Sequence, residues 1–175
     1  TFLKGRGFKQ GLIKLTGCSE DIKRYGRTPR PHVLDSNIKY PSKKVAKMLE
    51  IREDEPTFYM ERVIYGDDIP INKNKSYIPY HLVPDIEKIN FNEESLYKIL
   101  EQDYKIKIEK AIRTVEAILA NEEVALQLQV QEGAPVMLFK GQVFATLPNH
   151  RKAIIEYFEA IYRSDQFQFY IEQYR

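Results

Sequence analysis

Apolar and polar positions alternate with a period of two through much of this chain, the signature of half-buried strands. KIKIEKAIRTVEAILA, residues 105–120, is the longest such stretch. PTFYMERVIYGDDIPINKNKSYIP, residues 56–79, holds two more on either side of Gly66-Asp67-Asp68 and predicts a hairpin. PVMLFKGQVFATLP and RKAIIEYFEAIYR predict a second hairpin around Pro148-Asn149-His150, with QFQFYIEQY as the last strand. TPRPHVLDSNIKY takes up the same alternation after two prolines.

The pattern switches to helical spacing in four places. Ser19 followed by Glu20 and Asp21 reads as an N-cap with acids in the first turn, and Gly26 stops that short helix. PSKKVAKMLEI is an amphipathic helix capped by Ser42, with Val45, Met48 and Leu49 on one face. NEESLYKILEQDY starts at Asn92 or Glu93 and carries the stripe Leu96, Ile99 and Leu100. NEEVALQLQV is capped by Asn121 and ends near Gly133. TFLKGRGFKQG shows no period and reads as a linker. No internal repeat stands out. Strands outnumber helices and connect mainly as hairpins, so the expected class is α+β, an antiparallel sheet with helices packed on one side.

The chain has 175 residues, enough for one domain with its own core. Twelve Tyr, nine Phe and no Trp favour sheets over a helical bundle. No apolar run approaches the roughly 18 residues of a membrane span. The single Cys18 excludes an internal disulfide and points to a reducing, cytoplasmic compartment. Charge is uneven: residues 1–45 carry eleven Lys/Arg against three acids, a net +8, and the remainder is −6. Such a basic leader suits contact with phosphate, or simply a solvated arm.

Catalytic constellations are missing from the pattern. His32, His81 and His150 have no metal-ligand spacing, and there is neither a phosphate-binding glycine loop nor a dinucleotide fingerprint. The acid pairs Asp67-Asp68, Glu93-Glu94 and Glu122-Glu123 fall at a turn or at helix starts, where capping explains them. What remains suits binding, with no enzyme activity, cofactor or metal expected. Ser19 and Ser95 stand near helix starts, where an anion would be welcome. Arg62, inside the apolar strand FYMERVIY, needs a partner because an unpaired buried charge is costly. That partner is either a ligand or an acid such as Glu156 or Glu116. Glu156 and Tyr162 share one face of their strand, and Tyr157 and Glu159 share the other. The terminal hairpin thus either walls a pocket or presents a wet face.

The order of motifs resembles a known family. TFLK is similar to the residues after the wing of a winged-helix domain in GntR-type repressors. LTGCSEDIKRYGRTPRPHVLD resembles the opening of the UTRA module of the HutC subfamily. VAKMLEIREDEPTFYMERVIYGDDIPINKNKSYIP, the stretch from SLYKILEQDY to KGQVF with its "GxPV" strand entry, and EYFEAIYRSDQFQF continue that resemblance. It implies a chorismate-lyase-like α+β fold over residues 15–175, and residues 1–14 as the linker after a winged-helix DNA-binding domain outside this chain. It implies a repressor's sensor that binds a small metabolite, such as a sugar phosphate, and so alters operator binding by a homodimer.

By the same resemblance Ser19, Arg62 and Ser95 occupy the phosphate-holding positions, with Thr16 close to the first. Glu156 and Tyr162 match sugar-facing positions. Two departures stand out: a second arginine expected two residues after Arg62 is Ile64, and an expected acid is Asn74. Lys73 or Lys75 could supply the absent charge. The alternatives are a lyase-type enzyme sharing the fold and an interaction module that binds no small ligand.

Overall fold

Both predicted hairpins form at the predicted turns. Gly66 pairs with Ile69 across Asp67-Asp68, with Asp67 in the left-handed region at φ 58°. Leu147 and Arg151 close the other across Pro148-Asn149-His150. The computed structural model describes residues 8–11 and 17–170. Along the chain, β1 (Phe8–Gly11) precedes α1 (Cys18–Arg24), β2 (Pro29–Lys39), α2 (Lys43–Leu49), β3 (Thr57–Gly66) and β4 (Ile69–Pro79). Two 3-10 turns, Tyr80–Leu82 and Ile86–Lys88, lead to α3 (Leu96–Gln102), β5 (Lys107–Leu119) and α4 (Glu122–Leu128). The chain continues through β6 (Pro135–Thr146), β7 (Lys152–Arg163) and β8 (Phe167–Tyr170).

Six strands form one antiparallel sheet in the order β2-β3-β4-β7-β6-β5. The expected linker is not featureless: β1 lies within it and pairs in parallel with β8 as a separate two-stranded ribbon. The α+β class and the antiparallel sheet match expectation, but the helices lie on both faces. Ile22 of α1 packs with Ile64, Ala160 and Tyr162, while Val124 and Leu128 of α4 pack with their strand neighbours Val63 and Ile161. Adjacent strand residues point to opposite faces, so α1 and α4 cover opposite sides. Leu96, Ile99 and Leu100 put α3 on the α1 side, over Phe58 and Met60. Val45 and Leu49 put α2 on the α4 side, against Tyr157. An antiparallel sheet with apolar residues on both faces requires cover on both.

The structure also shows a repeat that the sequence hides. The strand order reads alike from either edge, β2-β3-β4 mirroring β5-β6-β7, and each half runs α-β-α-β-β. Ser42 and Asn121 each cap their helix through a bond from the amide three residues on, Val45 and Val124. Both helices end on a left-handed residue, Glu50 at φ 55° and Gln129 at φ 53°, rather than near Gly133 as expected for the second. The matching 6→1 bonds, Ile51 to Ala46 and Val130 to Ala125, complete a Schellman ending in each. A pseudo-two-fold therefore passes between β4 and β7. At the constant offset set by the two helix caps, Pro56 matches Pro135 and Arg62 matches Gly141.

Candidate functional site

A cleft with about 680 Å3 of atom-free space, part of it open to solvent, lies on this pseudo-axis between the starts of α1 and α3. Its floor comes from the cavity-side residues of three central strands: Arg62 and Ile64, Asn74 and Ser76, and Glu156 to Tyr162. Gly17, Cys18 and Ser19 form one rim and Ser95, Leu96 and Tyr97 the other. Of the sequence-predicted residues, Ser19, Arg62, Asn74, Ser95, Glu156 and Tyr162 all line this one cleft. Thr16 lies outside the described residues.

Two of the helix starts differ from expectation. Gly17, not Ser19, is the N-cap of α1, and its carbonyl accepts from the Glu20 and Asp21 amides at 3.0 and 3.2 Å. Glycine reaches the extended cap conformation readily, so the helix begins before the hydroxyl. The α3 helix begins at Leu96 with Ser95 as N-cap, not at Asn92 or Glu93, which form a separate turn on the Asn90 carbonyl. Ser95 makes no side-chain capping bond. Both helices are only seven residues long, so side chains rather than helix ends set the site's character.

Arg62 is 9% exposed and donates from Nε to Asn74 Oδ1 at 3.2 Å. It makes no ion pair among the described residues; Glu116 instead meets Lys140, at 3.3 Å. Burial pushes the guanidinium below its usual range and the nearby Glu156 charge pulls it back. Arginine stays protonated regardless. The Tyr97 hydroxyl donates to Glu156 Oε2 at 2.9 Å. Burial raises the Glu156 carboxyl, against the opposing pull of Ser76, Tyr97 and Arg62. Tyr97 and Tyr162 are held well above their ordinary values, mainly by burial. Cys18 is pushed up to about 12 by burial and by Asp21, so its thiol stays protonated and is no nucleophile at neutral pH.

The arrangement is a fixed polar floor holding one oriented cation beside one weakly acidic carboxyl. It can recognise a small polar anion by charge-assisted bonds. Among the described residues no group of three or more His, Cys, Asp or Glu could hold a metal ion, and no helix is long and apolar enough to cross a membrane.

Lys73 and Lys75 do not supply the absent charge, because both point to the opposite face. Lys73 is buried there against Glu61, at 2.8 Å, and Glu123, and Lys75 lies 3.8 Å from Glu61. That face carries a cross-strand row in which Glu61, Lys75, Glu159 and Lys140 alternate in sign. The terminal hairpin thus does both things the sequence left open: even-numbered residues wall the cleft and Glu159 joins the charged row. Arg113, Ser76 and Tyr97 are polar cleft residues that sequence reasoning missed. A lone base on an edge strand looks solvated; only its register opposite Gly141 places it.

A family profile described as the UTRA domain matches residues 24–168. The chain belongs to the UTRA family. It is 30% identical to the uncharacterized HTH-type transcriptional regulator YurK of Bacillus subtilis, over 76% of this chain and 55% of that protein. It is 29% identical to the HTH-type transcriptional repressor NagR of Bacillus subtilis, over 95% of this chain and 70% of that one. This UTRA chain therefore spans only part of each regulator's length. In fold it superposes on the effector domain of PhnF from Mycobacterium smegmatis with a TM-score of 0.85, at 18% identity, over 95% of this chain and 99% of that one.

Proposed function

We propose that this UTRA domain is the effector sensor of a cytoplasmic, GntR-type, HTH-bearing repressor and is not an enzyme. A small anionic metabolite enters the cleft between α1 and α3, and its binding alters how a homodimer holds its DNA-binding heads on the operator. The observation that carries this is Arg62, buried, oriented by Asn74 and in no ion pair among the described residues, at the floor of a cleft ringed by hydroxyls. A charge kept so costly is explained by a ligand that meets it.

The mechanism is a population shift. Gly17, Cys18 and Ser19 belong both to the cleft rim and to the start of α1, so ligand contact there biases the direction of the preceding segment. The ligand shifts that balance only by its differential affinity for the two arrangements. Dimer formation is supported by the apolar surface on the outer strand and adjacent helix, where Leu119 is 71% and Leu126 80% exposed.

The test is a thermal-shift screen against sugar phosphates, sugars, amino acids and their breakdown products, with sedimentation of the same samples. A ligand binding only the native state raises Tm by mass action. A hit lost in Arg62→Ala, whose own Tm stays near wild type, supports the site. Retained affinity in that variant removes the reading, and a monomer at high concentration removes the dimer.

A further inference from the structure

The pseudo-two-fold sets up a question about charge. It relates Arg62 on β3 to position 141 on β6, where there is no side chain at all. Gly141 is paired in register with Arg113 of β5. A Cβ at Gly141 would come within 2.9 Å of the Arg113 Cβ, 2.9 Å of the Phe158 ring and 2.6 Å of the Ile112 carbonyl oxygen. The glycine therefore vacates the space that lets Arg113 and Phe158 lie side by side on the cleft wall. Both of those residues line the cleft.

Arg113 is half-buried and makes no hydrogen bond or ion pair among the described residues. Its charge reaches the hydroxyls of both Tyr97 and Tyr162. Its strand, β5, lies on the other side of the pseudo-axis from β3, so the two arginines enter the cleft from opposite sides. The cleft is thus bounded by two guanidiniums, one on each side of the pseudo-axis, with Glu156 the one carboxylate in its lining among the described residues.

We infer that Arg113 forms a second anion subsite, and that the effector is a small molecule with acidic groups, carboxylate or phosphate, at two separated ends. This rests on the effector-binding reading above. One end meets Arg62 with Ser19 or Ser95 nearby; the other meets Arg113 beside Tyr97. Ile64, where the resemblance implies a second arginine two residues after the first, leaves the Arg62 end with a single guanidinium. The second cation enters from the other side of the cleft instead, which selects for a ligand that two guanidiniums meet from opposite sides.

The experiment follows the arginine Nε–Hε signals of nitrogen-15-labelled protein during titration with inorganic phosphate, and in parallel with acetate. The Arg62 and Arg113 signals are assigned by their loss in Arg62→Lys and Arg113→Lys. The expected result is two saturating curves with distinct midpoints, with the exposed Arg24 as a control that drifts without saturating. The anion with the lower midpoint at each arginine identifies that end as phosphate or carboxylate. Saturation at Arg62 alone, or one curve shared by both arginines, overturns this inference and leaves the effector-binding reading standing. Saturation at neither removes both.

Discussion

Asn74 accepts the Arg62 Nε proton across the β3–β4 ladder at 3.2 Å, and the pairing partner of a buried arginine is therefore an amide, not an acid. The amide fixes the direction of the guanidinium without cancelling its charge. An acid at the same position would neutralise it and compete with any ligand anion. Asn74→Asp is therefore expected to stabilise the ligand-free fold, by about 1 kcal/mol for the added charge on an existing hydrogen bond. The same change is expected to weaken effector affinity about tenfold. Chemical denaturation and calorimetry on one pair of samples read both; a variant that binds as tightly as wild type shows that Arg62 does not meet the ligand.

Glu156 gives a pH dependence of opposite sign to that of a paired surface acid. Burial raises its folded-state value, so the native state binds the proton more tightly than the unfolded chain. Stability from this group is present at low pH and declines as pH rises from the ordinary glutamate value of about 4.3 toward the raised one. Glu156→Gln keeps the shape and an acceptor for Tyr97 but carries no proton to lose. The stability difference, variant minus wild type, is expected to grow with pH through that window and then level off. A difference that stays flat from acid to neutral pH contradicts the assignment.

Much of this was legible in the sequence. Period-two alternation marked the strands, and Ser42 and Asn121 marked two helices because each spends its side chain on the first turn. The helix starts at Gly17 and Ser95 were harder, since neither residue makes a side-chain capping bond to betray the boundary. The repeat was hidden because little beyond the Val-Ala pair, one leucine and one proline survives in both halves. Alternation that turns Asn74 into the cleft necessarily turns Lys73 and Lys75 out of it, a constraint that the period of two imposes by itself. Arg113 was not legible in this way, because only the pairing of β5 with β6 brings it to Gly141.

Lys73 is expected to hold the sheet to α4. It is buried between Glu61 of β3 and Glu123 of α4. Burial pushes the Glu61 carboxyl up, but the Lys73 and Tyr59 contacts outweigh it and leave Glu61 below its usual range. Lys73→Met leaves that acid with only the Tyr59 hydroxyl and the more distant Lys75. Because Glu123 is largely in water, the cost is placed at about 2 to 3 kcal/mol, below that of a fully buried pair. A depressed carboxyl contributes stability above its unfolded value and loses it as pH falls through the folded one. The deficit of the variant is therefore largest at neutral pH and narrows below about pH 4. Urea melts at both pH values test this, and an equal deficit at each would assign the loss to packing alone.

Glu50 and Gln129 close α2 and α4 in the same left-handed conformation, which costs a side-chain-bearing residue roughly 1 kcal/mol or more and a glycine almost nothing. Their backbone amides close the helix ends, onto Lys47 and Leu126, and no side-chain hydrogen bond or ion pair is made by either among the described residues. Glu50→Gly and Gln129→Gly should therefore each raise stability by about 0.5–1 kcal/mol despite the greater freedom of the unfolded chain. The two helices belong to separate apolar clusters, α4 around Val63 and Val136 and α2 around Ile154 and Tyr157, so the double variant should show the sum of the single effects. Thermal or urea unfolding of all three variants measures it. If one helix gains and the other does not, the pseudo-symmetric endings are alike in geometry but not in energy, and the strain at the silent end is being used to aim the strand that follows.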